Sequence, residues 1–435
     1  MGSARDVAAR VLARVWEEEA FASGALDGEL SRAGLDARDA GLATELVYGV
    51  LRTEGALVAR LTEVSEKFRA PSGVVRGHLL VGAFSICFLD RVPAFAAVSE
   101  AVAGATRAAD AKVGGFVNAV LRRLARDVEA KGRGEIAEAV AATCPGWLRR
   151  GLGRAIGREA VKAYLTAGAF PPPMGLCVAL GEDRDAVVER VRAEVPGAEV
   201  AAGGVSPRAV LVRGAGDLRR LAGYGEKMIA QEEGAQAIGL ALGARAGERV
   251  LDACAGHGNK TWLLAQVVGE AGEVHAADLH AHKLEQVVGA RRTWAVDWAS
   301  GRGEVPGGFD RVLVDAPCSG TGTLRRRPEI ARRRRGEDVG RMAELQAAIV
   351  KSAAACVHNG GRLVYTVCSV LREEAEEVVA RVIAEGASDG ARLREAAFDA
   401  AIVRERFGEV AAFRLLPHVH GTDGYFAASF VVERG

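Results

Sequence analysis

VLDACAGHGNKT (250–261) passes from an apolar run through two glycines into the helical pattern TWLLAQVV. Gly256 and Gly258 let backbone approach a ligand closely, and Asp278 ends the next apolar run about twenty residues on, where a carboxylate can take both hydroxyls of a ribose. GHGNK has neither the third glycine of a dinucleotide fingerprint nor the GKT of a phosphate-binding loop. A nucleoside cofactor without a pyrophosphate, S-adenosylmethionine, therefore fits better than NAD or ATP. Cys254, Ala255, Gly256, His257, Gly258, Asn259 and Lys260 form the loop, Asp252 precedes it, and Asp297 in TWAVDW is expected to end the third strand beside the adenine.

Outward from this loop the same grammar repeats. ERVLDA, GEVHAAD, FDRVLVDAP and GRLVYTV are short Val/Leu-rich runs separated by helical stretches, as in a parallel sheet buried on both faces. Ligands in such sheets sit at the carboxyl ends of the strands. From residue 231 to 435 we therefore expect a Rossmann-like α/β domain. Residues 1–140 are helical in pattern: in ARDVAARVLARVWEE, Val7, Val11, Leu12, Val15 and Trp16 make one apolar stripe. Between them, 141–230 has proline breaks, the candidate strand LCVAL and the helix DRDAVVERVRAEV, which predict a small α/β connector.

Bulk properties narrow the classes. With 49% hydrophobic and 26% charged residues, 435 residues give a globular protein of two to four domains. LLVGAFSICFL (79–89) is too short to cross a bilayer, and MGSARDVAAR lacks the apolar core of a signal peptide, so a cytoplasmic protein is expected. Seven cysteines without a CxxC pair argue for reduced thiols rather than disulfides or structural zinc. His275, His280 and His282 lack cysteine or carboxylate at ligand spacing, so no metal is expected. The net charge of +1 means that any nucleic acid must be met by local patches.

Two apolar runs end in cysteine loops, DAPCSGTG with Asp315 and Cys318, and YTVCSV with Cys368. A thiolate that adds to carbon 6 of a pyrimidine makes carbon 5 nucleophilic enough to take a methyl group from a sulfonium donor. Asp315 would hold the base at its ring nitrogen and exocyclic amine. One thiol attacks and the other assists release; the residues alone do not rank them.

These motifs resemble the RNA cytosine-5 methyltransferases, most closely the Sun/RsmB-type small-subunit ribosomal RNA enzymes. DAPCSGTG followed by RRRPEI, YTVCSVLREE, VLDACAGHGNKT, QEEGAQ (231–236) and HGTDGYFAA (420–428) carry the resemblance. Upstream, ELVYGVLR, RVPAFAAVSEAV and GGFVNAVLRRLAR look like a NusB-like RNA-binding domain. The resemblance implies Cys368 as nucleophile, Cys318 as release thiol, Asp315 and Lys260 as contacts to the flipped base, and Cys254 through Lys260, Asp278, Asp297 and Asp315 around S-adenosylmethionine. It also implies a ribosomal RNA substrate, with the protein expected as a monomer. Departures from the family pattern are AGHGNK in place of AAPGGK, Val367 before the nucleophile, and only twelve residues between Leu284 and Asp297. An inactive RNA-binding assembly factor and the same chemistry on transfer RNA stay open as alternatives. RRRPEIARRRR holds seven arginines, and Arg325, Arg326 and Arg327, with Arg122 and Arg123 of LRRLAR, are the expected phosphate contacts.

Overall fold

In the computed structural model, which describes residues 2–65 and 69–435, the chain forms two units. One contains residues up to Arg150, Glu159–Pro171 and Leu324–Arg333; the other contains Gly151–Arg158, Pro172–Thr323 and Arg334–Gly435.

The first unit is built from amphipathic helices: α1 (Ala4–Glu17), α2 (Ala22–Ala33), α3 (Ala37–Val64), α4 (Gly73–Phe88), α5 (Ala94–Ala108) and α6 (Ala111–Lys131). The stripe expected in α1 is the buried face, with Val7, Val11, Leu12 and Val15 in the core. A reciprocal capping box between Ser3 and Asp6 starts that helix. The apolar stretch 79–89 falls in α4, which is buried on almost every side and sits in the middle of the bundle. Gly77 allows this: a Cβ there would come within 2.5 Å of the Ala9 carbonyl oxygen.

The second unit opens with an antiparallel sheet of β1 (Met174–Val178), β2 (Glu199–Ala202), β3 (Ala209–Arg213) and β4 (Met228–Ala230), in the order β2-β3-β1-β4. Leu176, Val178, Val187, Val191, Val210 and Met228 give it a core of its own. The strand and helix read from the sequence of this stretch are β1 and the helix Arg184–Glu194, and both belong to the same unit as the larger sheet.

The larger sheet contains β5 (Arg249–Asp252), β6 (Glu273–Asp278), β7 (Arg292–Ala295), β8 (Phe309–Asp315), β9 (Val357–Val367), β10 (Arg392–Glu395), β11 (Ala412–Leu415) and β12 (Tyr425–Glu433). Its order is β10-β12-β9-β8-β5-β6-β7, with β11 also on β12. From β7 to β9 every pair is parallel, and β12 runs antiparallel to β9. Val250, Leu251, Val312, Leu313, Leu363 and Val364 are buried, which is why these strands read as continuous apolar runs. The chain reverses its strand order at β5, so the crevice for a ligand lies where β5, β6, β8 and β9 end. Asp252, Asp278 and Asp315 are the last residues of β5, β6 and β8, and Cys368 directly follows β9. This is the expected Rossmann-like α/β arrangement, with an all-helical part before it in the chain.

Candidate active site

The glycine loop joins β5 to the helix Asn259–Val268. Gly256 and Gly258 have φ of +56° and +84°, a region that L side chains rarely adopt. Gly258 is also crowded, since a Cβ would lie 3.0 Å from Val287. Gly256 N–H donates to Asp278 Oδ2 at 3.0 Å and His280 N–H to Oδ1 at 2.9 Å. Asp278 therefore ties the loop after β5 to the loop after β6. His257 and Asn259 are exposed, and Asn259 Nδ2 donates to the Ala230 carbonyl at 3.3 Å.

Asp252 is buried beneath this loop. Thr261 Oγ1 donates to its Oδ2 at 2.8 Å, whereas Oδ1 has no hydrogen-bond partner. Burial pushes its carboxyl up to about 6 against the lowering effects of Thr261 and Lys260. Burial, and then Asp315, Asp252 and Asp278, hold the Cys254 thiol well above its ordinary value. Asp297 lies two residues beyond β7 and is exposed; it accepts from Ala299 N–H at 3.0 Å and Ser300 Oγ at 2.8 Å, capping the turn Trp298–Ser300. The short span before it holds a single helical turn, Ala281–Leu284, in place of a full helix.

Across the crevice Lys260 Nζ meets Asp315 Oδ2 at 2.5 Å. Burial pulls the Lys260 ammonium down, but Asp315, Asp252 and Cys368 together hold it above the usual lysine value. A fixed positive charge therefore stands beside Asp315 and near Cys368. Cys318 Sγ is 3.1 Å from Cys368 Sγ. The contact with Cys368, then burial and Glu374, raise the Cys318 thiol well above its ordinary value. The contact places the two sulfurs so that a proton can be shared between them.

Backbone bonds weave the cysteine loops to the C-terminal strand. Gly322 N–H donates to the Cys368 carbonyl at 2.9 Å, and Gly424 N–H donates to the Gly322 carbonyl at 2.8 Å. Any side chain at Gly322 would collide, because its Cβ would sit 2.0 Å from the Gly424 oxygen.

The sequence reading missed one polar cluster. Glu374, Gln346, Tyr365 and Ser319 are buried under the Cys318 loop and hydrogen-bonded to one another. The acid in LREE, six residues after Cys368, was its only visible trace.

The arginine cluster divides. Arg325 is buried at 7% exposure in the helical unit, and Arg52 donates to its carbonyl at 2.9 Å. Its guanidinium is therefore not offered to a phosphate as the sequence suggested. Arg327 and Arg333 lie over the half-exposed ring of Phe21, at 5.5 and 4.3 Å from its centroid. Glu329 is buried and accepts from Ala22 N–H at 3.1 Å, capping α2 where Phe21 has no capping side chain. Arg122 and Arg123 are exposed on α6. His275 is engaged by Glu273 and Trp294, and no group of metal-ligating side chains occurs among the described residues.

Residues 2–126 match the NusB family, and residues 239–431 match the 16S rRNA methyltransferase RsmB/F model. A Bacillus subtilis protein, "Probable ribosomal RNA small subunit methyltransferase B", is 32% identical to this chain and covers 98% of each sequence. The chain belongs to the RsmB/F family of RNA methyltransferases. Another RsmB/F relative, "Ribosomal RNA small subunit methyltransferase B" of Pseudomonas syringae, is 32% identical over 98% of this chain and 96% of its own. The crystal structure of PH0851 covers 100% of this RsmB/F chain and 99% of its own, with a TM-score of 0.79 at 20% identity, and so shares the fold. NSun6 from Pyrococcus horikoshii with SFG shares it over 67% of this chain and 99% of its own, with a TM-score of 0.55 at 18% identity. Among the described residues no helix is long and apolar enough to cross a membrane.

Proposed function

We propose that this protein transfers a methyl group from S-adenosylmethionine to carbon 5 of a cytosine in small-subunit ribosomal RNA, acting in the cytoplasm as a monomer. The observation that carries the reading is the pair of sulfurs 3.1 Å apart beside the Lys260–Asp315 ion pair, at the ends of β8 and β9.

The residues of the crevice suit the donor. A Cβ at Gly256 would meet nothing within 4 Å, so the loop leaves open space. Asp278 faces the ribose, the loop from Cys254 to Lys260 and Asp315 line the donor, and Asp297 meets the adenine. When bound, the donor supplies an electrophilic methyl group.

Lys260 and Asp315 hold the flipped base, with Asp315 at its ring nitrogen and exocyclic amine. The Cys368 thiolate bonds to carbon 6, and the electrons of the carbon 5–carbon 6 double bond become available at carbon 5. Carbon 5 takes the methyl group, leaving the sulfonium sulfur as a neutral thioether. The carbon 5 proton then passes to water, its bonding pair re-forms the carbon 5–carbon 6 double bond, and the carbon 6–sulfur pair returns to Cys368, with Cys318 assisting the departure of that sulfur. Arg122, Arg123, Arg326 and Arg327 contact RNA phosphates, fixing register without reading sequence.

Labelled methyl transfer to small-subunit RNA, with bisulfite sequencing of a deletion strain, tests the reading. Loss of one 5-methylcytosine in that RNA is expected. Loss of a transfer RNA mark instead transfers the chemistry to that substrate. Absence of S-adenosylmethionine binding by calorimetry identifies an inactive RNA-binding factor.

A further inference from the structure

The carboxylate of Glu374 is completely buried, yet it lies on the carboxyl side of the nucleophile's own strand and faces the other cysteine loop. Its Oε1 accepts from Ser319 N–H at 2.7 Å and from Gln346 Nε2 at 3.0 Å, and its Oε2 accepts from Ser319 Oγ at 2.5 Å. Gln346 Nε2 also donates to the Pro317 carbonyl at 2.9 Å. The two residues that flank Cys318 are thus gripped by one amide and one carboxylate. Arg334 Nε adds a bond to the Ser319 carbonyl at 3.3 Å, and the Tyr365 hydroxyl, 2.9 Å from Gln346 Oε1 and 2.7 Å from the Glu374 carbonyl, fixes the amide from behind. Three donors on one buried carboxylate form an expensive arrangement to leave incomplete.

Cys318 is partly buried as a residue, and the neighbour of its sulfur in the site is the other sulfur. We infer that Glu374 is a positioning residue for the release step: it clamps the Pro317–Ser319 backbone so that Cys318 Sγ stays beside Cys368 Sγ. This inference rests on the reading of Cys318 as the release thiol. It assigns Glu374 no contact with RNA or donor.

Glu374→Gln keeps the shape but turns one acceptor into a donor that faces donors. The test uses the full-length protein, end-labelled small-subunit RNA and S-adenosylmethionine, with denaturing gels for the covalent adduct and single-turnover assays for methyl transfer. Release from Glu374→Gln is expected to slow by about ten- to a hundredfold, as a misplaced catalytic group predicts, with adduct accumulating. Methyl transfer is expected to stay within about threefold of the unaltered protein, because attack by Cys368 does not pass through the clamp. A merely structural role would lower transfer and release by the same factor, and that result, or release at the normal rate, overturns the proposal. Ser319→Ala removes the hydroxyl bond to Glu374 together with contacts to Thr321 and Ser369, and it decides the matter if Glu374→Gln does not fold: release slowed more than methyl transfer supports the clamp, and unchanged release or an equal loss of both rejects it. Cys318→Ala, run beside them, separates the two ideas. If it accumulates no adduct, the release-thiol reading fails whatever the Glu374 variant does; if it does and Glu374→Gln does not, the clamp alone is wrong.

Discussion

The sulfur atoms of Cys318 and Cys368 lie 3.1 Å apart although fifty residues separate them in the chain. Parallel pairing of β8 with β9, which sets Asp315 opposite Thr366, brings the two loops to the same edge of the sheet.

Under the proposed mechanism the two thiols fail differently. Cys368→Ala should lower turnover by several orders of magnitude while RNA and S-adenosylmethionine still bind. Cys318→Ala should trap RNA on the protein as a slow band on a denaturing gel, and the band should vanish in the double variant. A band from Cys368→Ala instead would reverse the roles, and full activity in both variants would reduce the cysteines to packing.

Asp278 bridges the loops after β5 and β6 and takes the ribose in the proposed site, so its loss should be felt by the donor. Asp278→Ala is expected to weaken S-adenosylmethionine binding by about 1.5 to 3 kcal/mol, the range of a hydrogen bond to a charged group. Calorimetry on the folded variant checks this. Unchanged affinity would remove Asp278 from the ribose.

Asp252 makes stability depend on pH in an unusual direction. Its folded value of about 6 lies above that of an unfolded aspartate, so its stabilising contribution is complete below about pH 4 and is lost as pH rises through 6. Asp252→Asn should therefore gain on the unaltered protein by about 2 to 3 kcal/mol between pH 4 and 7.5. Denaturant titrations of both proteins across that range measure the difference. A gap that does not change with pH would show that Asp252 is charged throughout.

The arginines should separate into two classes. Arg122→Ala with Arg123→Ala should lower the slope of log affinity for single-stranded RNA against log salt by about 1.4, at 0.7 per phosphate contact. Arg325→Ala should leave that slope alone and cost the fold about 1 to 3 kcal/mol, because its side chain is buried. Salt titrations and thermal melts on the same three proteins distinguish the outcomes, and an unchanged slope in the Arg122/Arg123 double variant would exclude α6 from the RNA surface.

What the amino-acid sequence revealed followed from how it buries its chain. Strands covered on both faces read as apolar runs, so β5, β6, β8 and β9, and the acids and thiols that end them, were recognisable before any coordinates. The stripe of α1 and the apolar α4 were recognisable for the same reason. Glu374 was not, because its partner Ser319 is fifty-five residues upstream and an acid in LREE looks like one more solvated residue. The run 325–335 misled in the opposite sense: charge density suggested a phosphate surface throughout, whereas Arg325 and Glu329 are interior groups of the helical unit. Local composition carries burial well and carries long-range polar partners hardly at all.

The helical unit is also incomplete in time. Glu329 caps α2 from 307 residues further along the chain, and the carbonyl that Arg52 binds arrives 273 residues after it. At the usual elongation rate of roughly 5 to 20 residues per second, the start of α2 waits about 15 to 60 s for Glu329. During that interval the start of α2 lacks its Glu329 cap, and Arg52 lacks the Arg325 carbonyl. The amino-terminal helices therefore receive these two partners only after β1 to β8 of the other unit have been synthesised.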